Sequence, residues 1–223
     1  MRLLLFFATL FVLAAIAYLG QSIIKESFEK CKIYEVKQLA DNVVIQIVDD
    51  ACQEGLPHTT TSDIIRMPIS KWNGPMRDKT IKHELVHISQ KRNPRAWANF
   101  YAQAWKYQIL DRPPAGLPQS WIHKLRPNPD TADAPWSLWR GKYLIFPAFT
   151  ADNTLKGAEV HVWNTEKGAF DSLPEEWKRM FCASNNCPYQ FEHPHELAAE
   201  LYTSDSNTPA ANMLKKFMKQ IIQ

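Results

Sequence analysis

The sequence predicts an α+β fold, because runs of β-branched residues alternate with segments whose apolar residues recur at helical spacing. Residues 42–48 and 62–67 are predicted strands by their content of valine and isoleucine. Residues 142–146 and 159–163 are two further strands, which we expect to pair as a hairpin. Helical segments follow both pairs, so strands and helices share one chain without an internal repeat.

The helix after the second strand has clear boundary signals. Ile81, Leu85 and Ile88 recur at spacings of three and four and form a stripe for burial. Asp78 is placed to cap the first free amide groups, and Asn93 with the following proline ends the helix. We therefore predict a helix between Asp78 and Asn93.

A second helix is predicted over residues 95–110, opened by the same Asn-Pro pair. Its aromatic residues form a broad apolar stripe, which should pack against the preceding helix. Residues 111–135 are rich in proline and are predicted to form an ordered loop over the surface. Ser172 and Thr208 are predicted caps of later helices.

The first helix carries His83-Glu84-Leu85-Val86-His87, an HExxH pentapeptide. On a helix, two histidines four residues apart fall on one face and can bind one zinc ion. The glutamate beside the first histidine is placed to act as general base on zinc-bound water. The motif predicts a zinc hydrolase, and the alternative is that the two histidines are ordinary core or capping residues.

A catalytic zinc ion usually takes three protein ligands and leaves a fourth position open, so a third ligand is required. The extended HExxHxxGxxH motif is absent, since Gln90 stands where its glycine would be. Downstream, Pro194 opens a helix on which Glu196 and Glu200 lie one turn apart. This pair is the best candidate for the third ligand. His195 is a rival ligand, and a solvated helix face is the other interpretation.

HExxH followed at a distance by a helical Glu-x-x-x-Glu pair resembles the gluzincin branch of the zincin metallopeptidases. The sequence around Glu196 most resembles that of poorly characterised HExxH proteins. The resemblance covers two short helices. It implies His83, His87 and Glu196 as zinc ligands, Glu84 as general base and Glu200 as support for a ligand histidine. It also implies a zincin-like fold, with a small mixed or antiparallel sheet packed on the HExxH helix and further helices C-terminal.

The same resemblance implies a peptide-binding cleft. In zincins generally, the strand before the active-site helix is an edge along which an extended peptide pairs, so residues 63–67 are the expected rim. A buried position inside the sheet is the alternative. Glu84 would accept a proton during attack on the peptide carbonyl and return it to the leaving amine.

Several side chains are candidates for stabilising the oxyanion or contacting the substrate. These are His195, Tyr202, Tyr189 and Arg126. Arg126 or Asn128 could also bind a substrate backbone or carboxylate, although the Asn-Pro-Asp sequence there favours a turn.

The expected function is hydrolysis of peptide bonds by a zinc metallopeptidase. The alternative is a zinc-dependent hydrolase of another amide, or an inactive zincin-like binding domain. The presence of Glu84 favours an active enzyme over a binding domain. A peptide or protein substrate is the expected partner. The scattered basic residues and the formal net charge of +3 give no reason to expect a nucleic acid.

The N-terminus predicts entry into the secretory route. An uncharged apolar stretch over residues 3–19 is longer than a usual signal core and slightly shorter than the roughly 20 residues that span a bilayer. Ala15-Ile16-Ala17 favours cleavage, whereas the length of the stretch is compatible with an uncleaved membrane anchor. We predict a signal peptide or anchor at residues 1–20 and one catalytic domain over residues 21–223, secreted or held at a membrane.

All four cysteines lie beyond this stretch, and in an oxidising compartment an even number suggests two disulfides. Three pairings are possible. We favour Cys31 with Cys52 and Cys182 with Cys187, because the segment between the second pair is turn-like. The competing prediction is a structural zinc ion held by all four thiolates.

Overall fold

A computed structural model describes residues 31–39, 42–150, 157–184 and 186–221. It shows an α+β arrangement with two sheets, as predicted at this level. The predicted signal peptide or anchor at residues 1–20 lies outside the described residues. Within them, no helix has both the length and the apolar character needed to cross a bilayer.

The first sheet has four strands in the order β1-β2-β4-β3. The strands are β1 (Ile33–Gln38), β2 (Val44–Val48), β3 (His58–Thr59) and β4 (Ile64–Pro68). β2 runs parallel to β4, whereas β1 and β3 each run antiparallel to their neighbour. The predicted strands at residues 42–48 and 62–67 are confirmed as β2 and β4.

The place of β4 differs from the expectation that residues 63–67 form a free rim. β4 has β2 on one side and β3 on the other, and Ile65 and Met67 are fully buried. The edge on this side is β3, a two-residue strand too short to be recognised from its sequence pattern. The rim prediction is wrong, because a strand paired on both sides has no free backbone groups to offer a peptide.

The second sheet has five antiparallel strands in the order β5-β6-β7-β8-β9. They are β5 (Tyr107–Leu110), β6 (Trp136–Trp139), β7 (Tyr143–Phe149), β8 (Ala158–Asn164) and β9 (Ala169–Phe170). β7 and β8 pair along their whole length, which confirms the predicted pairing of residues 142–146 with 159–163.

Seven α-helices are described. They are α1 (Ile69–Trp72), α2 (Arg77–Arg92), α3 (Pro94–Phe100), α4 (Gln119–Ile122), α5 (Glu175–Phe181), α6 (Pro194–Thr203) and α7 (Pro209–Ile221). The predicted helix over residues 95–110 is wrong in its second half. A π-helical turn, Tyr101–Trp105, follows α3, and Lys106 then adopts a left-handed conformation with φ of 62°. The next residues pair with β6 as β5, so sheet pairing overrides the helical spacing.

Two predicted caps are also wrong. Asp78 lies inside the first turn of α2, where its charge still suits the helix dipole, and α5 begins after Pro174 rather than at Ser172. Thr208 is confirmed as a cap, since its Oγ1 accepts a hydrogen bond from the Ala211 amide at 3.2 Å.

α2 lies between the first sheet and the main core. Ile88, together with the partly buried Ile81 and Leu85, packs on the apolar face of the first sheet, as the stripe predicts. Val86 faces the other way, into a core shared with α3, α6 and α7. The histidines of α2 are thereby held in the interior.

The predicted loop over residues 111–135 crosses one face of the second sheet, with α4 inside it. It is fixed to β7 by hydrogen bonds from the Arg126 amide to the Pro147 carbonyl and from the Phe149 amide to the Lys124 carbonyl. Its later residues reach the first sheet, because the Thr59 amide of β3 donates to Asp130 at 2.9 Å. The loop therefore joins the two sheets beside α2.

The cysteines form the disulfides Cys31–Cys52 and Cys182–Cys187, which confirms the favoured pairing. The four-thiolate zinc site is wrong, since no described cysteine is free. Two disulfides indicate an oxidising environment, extracellular or in the secretory route.

Candidate metal centre

His83 and His87 lie one turn apart on the face of α2 that α6 covers. Their rings are 4.9 Å apart between centroids. Glu196, in the first turn of α6, directs its Oε2 at both, 3.3 Å from Nε2 of His83 and 3.5 Å from Nε2 of His87. The structure therefore brings together the three side chains predicted as metal ligands.

The spacing of these three atoms suits a metal ion. Tetrahedral coordination with bonds of about 2.0–2.1 Å separates neighbouring ligand atoms by roughly 3.3 Å, close to the two distances observed. Nε2 of His87 is buried and has no hydrogen-bond partner among the described residues. Orphaned buried nitrogens are costly unless something binds them, so the cluster could hold a metal ion.

Gln90 fixes the ring of His87. Its Oε1 lies 2.7 Å from Nδ1 of His87, and an amide oxygen can only accept, so Nδ1 carries the proton. When the ring is neutral, Nε2 therefore presents its lone pair toward Glu196 and His83, as a metal ligand must. Gln90 is itself held, because its Nε2 donates to the Tyr101 hydroxyl at 2.9 Å and to the His195 carbonyl at 3.1 Å.

Asn128 fixes the carboxylate of Glu196. Its Nδ2 donates to Oε1 of Glu196 at 2.8 Å, which leaves Oε2 to face the histidines. Its Oδ1 accepts a hydrogen bond from the Asp130 amide at 2.9 Å. The turn predicted at Asn128 is therefore present, and its side chain contacts Glu196, whereas a contact of Asn128 with a substrate stays a prediction.

Asp130 ties the loop to β3 and to the end of α2. It accepts hydrogen bonds from the amide and the hydroxyl of Thr59, and Nζ of Lys91 lies 3.6 Å away. Together with Glu84 and His87 it forms a second group of potential ligands, again within 4.8 Å of one another. Two buried carboxyl groups thus flank His87.

Burial and charge shift the acids and bases of this cluster. Burial, and then the charge of Asp130, raise the pKa of Glu84 well above its ordinary value. Burial alone would lower the pKa of His87, but Asp130, Glu196 and Glu84 outweigh it and raise that pKa to about 10. The cluster favours a positive charge between its carboxylates, which a bound cation would also supply.

His83, Glu84 and Glu196 line an open cleft of about 650 Å³. The predicted contact residue Arg126 lines it as well, and so does the exposed Tyr189. The cleft walls come from α2, α6, residues 53–58 before and within β3, and the loop at residues 123–130. The cleft gives a substrate direct access to the cluster.

Glu200 also lines the cleft, one turn after Glu196. Its carboxylate makes no hydrogen bond to either histidine of α2, so its supporting role stays a prediction. His195 and Tyr202 lie elsewhere. The ring of His195 packs against Tyr101 at 5.5 Å, and Tyr202 packs against the main core. Neither lines the described cleft, and His195 contributes through its backbone carbonyl instead of its ring.

Comparison with known proteins gives no family assignment: no family model, no curated protein and no solved structure matches the chain. The chemistry of the cluster therefore has to be inferred from its own geometry.

Gln90 and Asp130 are not predicted as site residues, and Asn128 is predicted only as a substrate contact. Gln90 stands three positions after His87 on the same helix, and that spacing is a usable signal for a supporting contact. Asn128 and Asp130 have no comparable signal, because their sequence is also ordinary turn chemistry. Only the course of the loop across the second sheet shows where they point.

Replacing Gln90 by methionine, of similar size but without the amide, should weaken the binding of a metal ion, with zinc as the test ion, by about 10–100-fold, because His87 loses the acceptor that fixes its orientation. Competition with a chromogenic chelator measures the dissociation constant. The exposed Gln108→Met on β5 is the matched control and should bind zinc like the wild type. Equal affinity in the two variants would contradict the role of Gln90.

Asn128→Asp keeps the acceptor for the Asp130 amide but replaces the donor to Glu196 by a second carboxylate. We expect zinc affinity to fall by at least about tenfold, since Glu196 loses its orienting hydrogen bond. The same chelator assay applies, with circular dichroism to check folding. The exposed Asn73→Asp serves as control, and unchanged affinity in Asn128→Asp would show that Asn128 does not position the ligand.

Proposed function

We propose that this chain is a zinc metallopeptidase with a zincin-like catalytic domain over residues 21–223. The observation that carries the proposal is the convergence of His83, His87 and Glu196 on one point, with Glu84 beside them at an open cleft. Two imidazoles and one carboxylate, with a position left open, form a donor set typical of catalytic zinc. Imidazole ligands also disfavour magnesium and calcium, which prefer oxygen.

Zinc, when bound, would polarise the scissile carbonyl and lower the pKa of a coordinated water to near 7. Glu84 supplies the proton transfers. Its Oε2 is buried and makes no hydrogen bond to another described residue, so it is available to take a proton from the attacking water. It then delivers that proton to the leaving amine nitrogen as the C–N bond breaks.

The surroundings of Glu84 suit this exchange. A general base works best when its pKa lies near the working pH, and an ordinary glutamate is too weak a base at neutral pH. Burial and the neighbouring Asp130 shift the pKa of Glu84 in the required direction. A bound cation would lower the pKa of Glu84, so it would partly offset the effect of burial and of Asp130.

The compartment limits the substrate. Both disulfides indicate an oxidising environment, which agrees with the N-terminal signal peptide or anchor expected from the sequence. We propose that the enzyme acts on peptides or proteins in the secretory route or outside the cell, either free or held at a membrane.

Glu84→Gln should retain zinc but lose about 10²–10⁴-fold in turnover, because the amide cannot accept the proton. Glu196→Ala should lose zinc as well, since only two ligands remain. Metal content after dialysis, measured by mass spectrometry, and cleavage of a peptide library test both. A chelator should abolish wild-type cleavage, and added zinc should restore it.

The exposed Glu159→Gln on β8 is the matched control and should keep wild-type zinc content and wild-type peptide cleavage. Wild-type turnover in Glu84→Gln would remove Glu84 as the base. A full complement of zinc in Glu196→Ala would remove Glu196 from the ligand set.

A further inference from the structure

Arg126 is a half-buried cation of the cleft wall whose guanidinium has no partner among the described residues. The guanidinium of Arg126 makes no hydrogen bond or ion pair with any described residue, although it lines the same cleft as His83 and Glu196. Such a group has donors that a ligand in the cleft can use.

The backbone beneath this side chain is fixed. The Arg126 amide donates to the Pro147 carbonyl at 3.0 Å, and the preceding Leu125 forms a bridge with Ala148 of β7. Two residues later, Asn128 contacts the carboxylate of Glu196. Three consecutive Cα atoms span at most about 7 Å, so the backbone of Arg126 is anchored within about two residue lengths of Asn128, which contacts the metal cluster.

The acidic residues near Arg126 leave its guanidinium available to bind a carboxylate of a ligand. Glu192 is buried and is influenced by Arg126 through space, but the two form no ion pair. Glu200 also lines the cleft and forms no ion pair with Arg126 in the described part of the chain. Lys71 and Lys79 are exposed at the rim, where water solvates them, whereas Arg126 is partly desolvated. A partly desolvated guanidinium binds carboxylates strongly and in a planar, bidentate geometry.

We propose that Arg126 binds a carboxylate of the peptide substrate close to the scissile bond, which makes it a specificity-determining residue. This inference rests on the metallopeptidase function proposed above. The carboxylate has two possible sources, the free C-terminus of the peptide or the side chain of an aspartate or glutamate. In the first case the enzyme removes residues from the C-terminal end, and in the second it cleaves internal bonds beside acidic residues.

The test uses zinc-loaded Glu84→Gln protein, which should bind peptides without cleaving them. Calorimetry measures the dissociation constants of two peptide pairs. The first pair is one peptide as its free acid and as its C-terminal amide. The second pair is an amidated peptide that carries either glutamate or glutamine beside the scissile bond. We expect one carboxylate, and not its amide, to bind at least about tenfold more tightly, the size expected of a charge-assisted pair. The peptide pair that shows this difference in affinity identifies whether Arg126 binds the C-terminal carboxylate or an acidic side chain.

Adding Arg126→Gln should abolish that difference, whereas adding Arg95→Gln on the exposed face of α3 should leave it intact. The proposal is overturned if neither peptide pair differs, or if the preference survives Arg126→Gln. Wild-type cleavage of peptides without any preference for carboxylates would overturn this inference and leave the metallopeptidase function standing. Failure of the zinc-loaded wild type to cleave any peptide would overturn both.

Discussion

The contact between the carboxylate of Glu196 and the imidazoles of His83 and His87 joins α2 to α6 at the candidate metal centre. All three groups are largely or fully buried, and a buried carboxylate is stable only when a positive charge or several donors accompany it. The two imidazoles lower the pKa of Glu196 well below its ordinary value, against the effect of burial. A cation at this point satisfies all three groups at once.

The two sheets and the loop between them hold that contact from opposite sides. The first sheet supports α2 through the apolar stripe at Ile88, and the second sheet carries the loop that brings Asn128 to Glu196. Gln90 acts from within α2 on His87. Each of these amide side chains orients one ligand side chain and is itself held by a second hydrogen bond. The fold therefore fixes the orientation of both ligands.

Local patterns carried the successful predictions. The HExxH motif needs only the period of one helix, and the stripe of Ile81, Leu85 and Ile88 identifies that helix and its buried side. Glu196 could be proposed because acidic residues one turn apart on a proline-opened helix are also a local signal. The disulfide between Cys182 and Cys187 closes a short loop, so it too could be predicted from nearby residues. Predictions failed where a segment depends on partners far along the chain. Tyr107–Leu110 has helical spacing but pairs with β6. Asn128 contacts Glu196, which is distant in sequence, and no local pattern indicates that contact.

X-ray absorption at the zinc edge of the zinc-loaded protein identifies the ligands of the ion. We expect one zinc ion per chain with two imidazole nitrogens and oxygen ligands, all at about 2.0–2.2 Å and without sulfur. In Glu196→Ala the imidazole pair should no longer hold the ion after dialysis. A zinc ion bound without imidazole, or no zinc retained by the wild type, would show that His83, His87 and Glu196 do not form a zinc site.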